Sequence, residues 1–344
     1  MEQKKTKLNK FLSFLKKYPT IVTTAAILPS LIMTVRYAFL EENYYYNFYF
    51  YGERLHVDDA TFELTGIKKV ANVYQSSSSF SYQGAACYEN YYAVCADNFE
   101  AIVIYDTEKI SKGPVHIINT GITNTDWHCN QIFFGSDFYS SHDKFPLLYV
   151  SMESPKVHSL IVFRIYQLGG DYFVNQVQTI TLDFDDDERG PLYFPNAYYD
   201  YDEELIYYAG YTKNTYMKQD DNFLRFYTFS IPDYRAVDCV LYTSEAYSTF
   251  ELPSETATQG GFISNSHLYQ TFSFASKTES LRAPKMRVVD LKNQKIIYDE
   301  QDLYAKFGVA EEFEHVAVDN HGKLFSLGNP FNIYEFEYKD KNTK

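Results

Sequence analysis

The feature that most limits how this chain can fold is a repeated strand phrase, an alternating apolar run that closes on a turn. It occurs at Ile102 to Asp106, Ile161 to Tyr166, Leu224 to Ser230, Met286 to Asp290 and Ile333 to Glu337. The phrases end at residues 106, 166, 230, 290 and 337, so they lie 60, 64, 60 and 47 residues apart. Upstream of each stands a polar cluster leading into a strand: Gln83-Gly84-Ala85, His128-Cys129-Asn130, Pro195-Asn196-Ala197, Gln259-Gly260-Gly261 and Glu314-His315-Val316. A second strand follows in each unit, at Tyr91 to Ala96, Leu147 to Met152, Leu205 to Ala209, His267 to Phe272 and Lys323 to Leu327. Inner strand, hairpin and third strand form a sheet that cannot bury its faces alone, so neighbouring units must stack. The spacing is long for a compact blade but suits four-stranded sheets with extended loops.

These units predict an all-β fold, a β-propeller of about five blades with six possible, over residues 65–340. The last unit runs out of chain near Tyr338, so a strand within Ile67 to Tyr74 is expected to pair with it and close the ring. Closure removes the exposed edges that an open sheet would present. Composition agrees: Tyr (34) and Phe (28) dominate, both favoured in strands, and no convincing amphipathic helix occurs beyond residue 60. A chain of 344 residues can bury one sizeable core.

The run from His128 to Gly135, followed by Lys144 to Ser151, resembles a segment of uncharacterised bacterial proteins of the TolB-like or YVTN-like propeller group. The Gln-Gly openings at 83 and 259, and Glu314 before His315, are similar to blade openings in that group. The resemblance covers roughly residues 65 to 338. It implies the propeller fold and leaves function open, because that group holds scaffolds, ligand binders and unrelated enzymes.

The N-terminus has a different character. Residues 1–40 carry seven Lys/Arg against one acid, Glu2, which leaves 24 bases and 44 acids in the remainder, a net charge of −20. From Pro19 to Val35 there is no charged residue, and the apolar stretch resumes after Arg36 through Leu40. That is the length a spanning helix needs. With six lysines before it and Glu41 and Glu42 after it, the charge bias places the N-terminus in the cytoplasm. The expected organisation is a basic cytosolic tail (1–18), a transmembrane signal anchor (19–40), a juxtamembrane linker (41–64) and a propeller outside the cell. A cleaved signal peptide is the alternative, although no clear small-x-small site follows. A surface as acidic as the remainder repels phosphate backbones, so nucleic acid is a poor partner; a polar small molecule, a glycan or a protein remains open.

Several catalytic signatures are absent from the sequence. There is no G-x-S-x-G elbow, H-E-x-x-H, G-x-x-x-x-G-K-[ST] or C-x-x-C. Propeller geometry nevertheless brings the unit openings to one mouth of the central channel. Gln83, His128, Asn130, Asn196, Gln259, Glu314 and His315 are thus expected to form a polar ring, with Asp126 and Trp127 beside it. Such a ring offers amides, two imidazoles and a carboxylate, suited to a polar ligand, a metal or acid–base work. Equally, these groups can serve only to satisfy inner-strand backbone and channel water. Two function classes follow: a ligand-binding or protein-interaction module, or an anchored hydrolase or lyase using His128, His315 and Glu314. The residues specify neither a cofactor nor a metal. Cys87 and Cys95 could bridge across the Glu89-Asn90 turn or remain as small buried hydrophobes. The acidic run Asp183, Asp185, Asp186, Asp187 and Glu188 lacks a dedicated calcium-loop spacing and reads as a solvated loop.

Overall fold

The computed structural model describes residues 62–75, 81–122, 128–153, 158–184, 187–215, 220–236, 238–254, 257–272, 283–329 and 331–340. The tail, the apolar segment and most of the linker expected over residues 1–61 lie outside the described residues, as do Asp126 and Trp127. Among the described residues no helix is long and apolar enough to cross a membrane.

Among the described residues, twenty-one strands form five sheets. Blade 1 is β2 (Tyr82–Tyr88), β3 (Tyr91–Ala96), β4 (Ala101–Asp106) and β5 (His116–Asn119). Blade 2 begins with β6 (His128–Phe134), β7 (Leu148–Glu153), β8 (His158–Leu168) and β9 (Asp171–Asp183). Blade 3 is β10 (Tyr193–Asp200), β11 (Leu205–Tyr211), β12 (Phe223–Ser230) and β14 (Ser248–Pro253). Blade 4 is β15 (Thr258–Ser264), β16 (His267–Phe272), β17 (Lys285–Asp290) and β18 (Lys295–Glu300). Blade 5 joins β19 (Glu312–Val318), β20 (Leu324–Asn329) and β21 (Asn332–Asp340) to β1 (Phe62–Asn72) from the start of the domain.

The β1–β21 pairing is the expected closure. It is antiparallel, with Ile67 opposite Phe336 and Asn72 opposite Asn332, and starts at Phe62, upstream of the expected strand. The first strands close into a ring, because β2 packs on β6 and β19, β10 packs on β6 and β15, and β15 packs on β19. The chain is therefore a five-bladed β-propeller.

Five separate cores lie between the blades. One joins blades 1 and 2 around Phe99, Phe134 and Phe163; a second joins blades 2 and 3 around Tyr149, Tyr199 and Tyr227. A third joins blades 3 and 4 around Tyr198, Phe226 and Phe272. Blades 4 and 5 meet around Tyr269 and Phe336, and blades 5 and 1 around Tyr92, Tyr105 and Phe325. The aromatic bias now has a cause. A full turn shared among only five blades leaves wide wedges, and large rings fill them with the fewest residues. Each buried ring removes about 150–250 Å² from water, and stacked pairs such as Phe226 and Phe250, 4.6 Å between centroids, add orientation.

Blade 2 carries an additional strand that no repeat pattern in the sequence announced. After β12 the chain leaves blade 3, runs β13 (Cys239–Tyr242) parallel to β9 with Cys239 opposite Ile180, and returns to blade 3 as β14. Blade 2 gains a fifth strand, and blades 2 and 3 are stitched by backbone hydrogen bonds.

Two other expectations are settled by the register. Cys87 faces Tyr92 and Cys95 faces Ile102, so the two cysteines are not opposed; they and Cys129 and Cys239 are free thiols. In the acidic run, Asp187 is not a solvated carboxylate. It pairs with Arg189 at 2.8 Å and accepts from the Tyr227 hydroxyl, while Arg225 donates to the Arg189 carbonyl at 3.0 Å.

Candidate functional site

Every first strand carries a β-bulge near its start. The register slips between Tyr82 and Ala85, Cys129 and Gln131, Tyr193 and Asn196, Thr258 and Gly261, and Phe313 and His315. A bulge places two residues against one and re-aims a side chain. This accounts for the polar clusters seen in the sequence. Gln83, Asn130, Gln259 and Glu314 sit in the bulges, Asn196 and His315 immediately after theirs, and His128 opens β6. The clusters lie within the first strands rather than ahead of them.

The residues divide by how their polar groups are engaged, and we call the buried, amide-rich set the deeper level and the set around the partly exposed His128 and Asp97 the mouth. Deeper in the channel the polar groups mostly satisfy one another. Gln131 reaches from blade 2 to the inner edge of blade 4, where its Nε2 donates to the Gly261 carbonyl at 2.7 Å and its Oε1 accepts from the Gly261 N–H at 2.9 Å. The side-chain amide takes the place of a neighbouring strand on an edge that has none. Asn130 donates to Asn196 Oδ1 at 3.2 Å, and Ser151 Oγ accepts from the Ala197 N–H at 3.0 Å. The two glycines of blade 4 permit this closeness: a Cβ on Gly260 would collide with His315 Nδ1 and Gln131 Oε1, and one on Gly261 with the Tyr269 carbonyl. Some atoms at this level stay unpartnered: Asn130 Oδ1, Asn196 Nδ2 and both ring nitrogens of His315. His315 is 1% exposed. Burial lowers its pKa to about 3, so the imidazole is neutral.

At the mouth the groups are charged and less well matched. His128 Nδ1 lies 2.5 Å from Asp97 Oδ1, with the two side chains 42% and 33% exposed. The Ser81 hydroxyl approaches Asp97 Oδ2 at 3.3 Å, and the Cys129 N–H donates to the Asp97 carbonyl at 2.6 Å, fixing blade 1 to blade 2. Gln259 Nε2 donates to Glu312 Oε1 at 3.0 Å. Burial raises the Glu312 pKa, against the pull of the Gln259 amide and of His128. Glu314 is 1% exposed, and neither carboxyl oxygen makes a hydrogen bond of good geometry. Burial first, then the charges of Glu312 and Asp97, hold its carboxyl well above the usual glutamate range; the Asn329 amide alongside gives partial relief.

The expected ring is therefore distributed. His128, Gln259 and Glu314 belong to the mouth, Asn130, Asn196 and His315 to the deeper level, and Gln83 is buried at the matching bulge of blade 1. Three contributors were missed. Glu312 stands two residues before Glu314, and the bulge between Phe313 and His315 breaks the strand period that would have linked the two. Gln131 follows Asn130 directly and has no signal of its own, because its partner Gly261 is 130 residues away. Asp97 lies in a turn after a second strand, where no repeat drew attention to it.

Among the described residues no group of three or more His, Cys, Asp or Glu is arranged to hold a metal ion. A cleft of about 670 Å³ opens away from the channel, at the outer part of blade 2, lined by Tyr139, Asn175, Gln176, Val177, Tyr234 and Arg235 among others. Two of its polar groups are already engaged: Gln176 donates to Thr179 Oγ1 at 3.0 Å, and Asp238 accepts from the Thr179 N–H at 2.8 Å.

No protein-family model matches the chain, and no curated protein matches it. Solved structures similar to it include glutaminyl cyclase from Myxococcus xanthus, with 11% identity over 81% of this chain and 96% of that one and a TM-score of 0.46. The soluble aldose sugar dehydrogenase of Escherichia coli is similar at 9% identity, covering 82% and 100%, with a TM-score of 0.44. The WD40 propeller domain of Doa1 is similar at 6% identity, covering 79% and 97%, with a TM-score of 0.40. The class that the fold defines is the β-propeller, here with five blades.

Proposed function

We propose that this chain is a membrane-tethered propeller whose channel mouth binds a polar ligand or a polar segment of a partner protein. The observation that carries the reading is Glu314, a carboxyl buried at the mouth without adequate hydrogen bonding. A buried polar group left in this condition costs about 1–3 kcal/mol. Folding alone gives no return for that cost, whereas a bound ligand does. Anchoring rests on the uncharged run Pro19 to Val35 and the lysines before it, with the tail (1–18) inside and the propeller outside. The net charge of −20 after residue 40 argues against nucleic acid. Kinship with the TolB-like or YVTN-like group belongs to the same reading.

An enzymatic reading has one observation in its favour. A His–Asp contact at 2.5 Å beside a glutamate with a raised pKa is an acid–base arrangement. It would make His128 and Glu314 the acid–base residues of an anchored hydrolase or lyase, with His315 outside the set.

Protease applied to intact cells tests the topology: the domain beyond residue 41 is expected to be degraded and the N-terminal tail to survive. Protection of the propeller reverses the orientation, and release of a soluble domain with a new N-terminus near residue 40 makes the segment a signal peptide. For the site, thermal melting of the full-length chain across a library of polar compounds is expected to find stabilisers of wild type that leave Glu314→Gln unchanged. Equal stabilisation of both proteins would remove the mouth as the site.

A further inference from the structure

The channel-mouth reading leaves the class of ligand open, and the charge arrangement narrows it. Three carboxyl groups, on Asp97, Glu312 and Glu314, stand there, and the charges of Glu312 and Asp97 act on Glu314. Among the described residues the imidazole of His128, when protonated, favours the ionised form of Glu312, and it is itself held by Asp97. Glu314 receives no such help, and both its oxygens are buried without a well-formed hydrogen bond.

A metal ion needs its oxygen and nitrogen donors converged to about 2.0–2.6 Å around one point. The acids here are not so arranged. An ammonium or guanidinium group has a different requirement. It donates separate N–H bonds of about 2.7–2.9 Å in divergent directions, so it can serve acceptors spread over several strands. The Glu314 carboxylate and the Glu312 oxygens are such acceptors, near enough for the charge of Glu312 to act on Glu314, with the Gln259 side chain already turned toward Glu312. Ionising Glu314 in that buried place needs a positive partner, which a neutral polyol does not supply. Anions meet repulsion from all three carboxylates and from the acidic surface around them.

We propose that the channel mouth takes an organic cation, a primary ammonium or guanidinium group, clamped by Glu314 and Glu312. The inference rests on the mouth being a ligand site at all, and the test separates the two. Titration calorimetry on the full-length chain would use putrescine and methylguanidinium as cationic probes, with glucose and citrate as neutral and anionic probes. A cationic probe is expected to bind wild type and to bind Glu314→Gln about tenfold or more weakly, the loss of a charge-assisted hydrogen bond. Glu312→Gln, at a less buried position, is expected to weaken it as well and guards against a folding defect in the first variant.

Glucose or citrate binding that Glu314→Gln abolishes, with no response to either cation, overturns the cation inference and keeps the mouth as a site. Cation binding that is unaffected in both variants also overturns it, because the cation then sits elsewhere. Binding of none of the four probes counts against both readings.

Discussion

The two levels of the channel are built from the same residue classes and on the same bulged strands, yet they behave differently. Deeper in, Gln131 and Gly261 exchange two hydrogen bonds and Asn130 donates to Asn196. At the mouth, carboxyl groups face one another and Glu314 has only the partial relief of the Asn329 amide. Polarity in a channel is therefore not by itself a sign of function. What distinguishes the mouth is its ionisable carboxyl groups set against one another, with both Glu314 oxygens buried and unpartnered, whereas the unpartnered atoms deeper in, Asn130 Oδ1, Asn196 Nδ2 and the His315 nitrogens, belong to neutral groups.

If that contrast is correct, the largest losses of stability come from the deeper level. Gly261→Ala places a methyl group against the Tyr269 carbonyl, a backbone atom that can move only if β15 and β16 part. A cost of about 3 kcal/mol or more is expected, read as a lowered midpoint in urea unfolding. Gln131→Ala comes next. It strands the Gly261 N–H and carbonyl on an inner edge with no other strand to pair with, and about 2 kcal/mol is expected. A Gln131→Ala protein as stable as wild type would place the deeper level alongside the mouth and end the comparison.

Adjacent residues on β19 sharpen it through pH. The Glu314 carboxyl keeps its proton to higher pH in the folded chain than in the unfolded one. Its contribution is therefore intact below the unfolded value of about 4.3 and lost as pH rises through the raised folded value. Asp97, Glu312 and His128 face the same space and modulate that interval. His315 has the opposite sign. Its pKa falls to about 3 on folding, so the unfolded chain binds a proton first, and stability is lost as pH drops below about 6.5. Within each interval the slope approaches about 1.4 kcal/mol per pH unit. Melting curves across pH should flatten on the alkaline side for Glu314→Gln and on the acid side for His315→Gln.

The ring and its closure were legible because repetition is a one-dimensional signal: five strand phrases, five polar openings and an unfinished last blade. The second strands at Tyr91 to Ala96 and His267 to Phe272 match β3 and β16. Outer strands were not legible. β5 and β13 are four residues each, half exposed, with Ile117 and Val240 turned outward, so they carry almost no apolar pattern. The β13 excursion also breaks the repeat order, which no period can report. The site was half legible for a related reason. Residues in the bulges announced themselves, but Asp97 enters from a turn, and whether a polar group is satisfied depends on partners such as Gly261, which stands 130 residues from Gln131.

The smallest expected effect on stability belongs to His128. Its contact with Asp97 is short, but both side chains are more than 30% exposed, and ion pairs in that setting contribute about 0–1 kcal/mol. His128→Ala should therefore melt close to wild type. Its consequence lies in charge. Removing the imidazole takes away the cation that favours ionised Glu312 and leaves Asp97 facing the same space. Glu312, already raised by burial, should then titrate at higher pH still, and carbon NMR of labelled glutamate side chains would follow it directly. An unmoved Glu312 would mean that His128 and Glu312 do not share the mouth electrostatically, and a melting loss as large as that of Gln131→Ala would mean that His128 belongs to the channel's own structure.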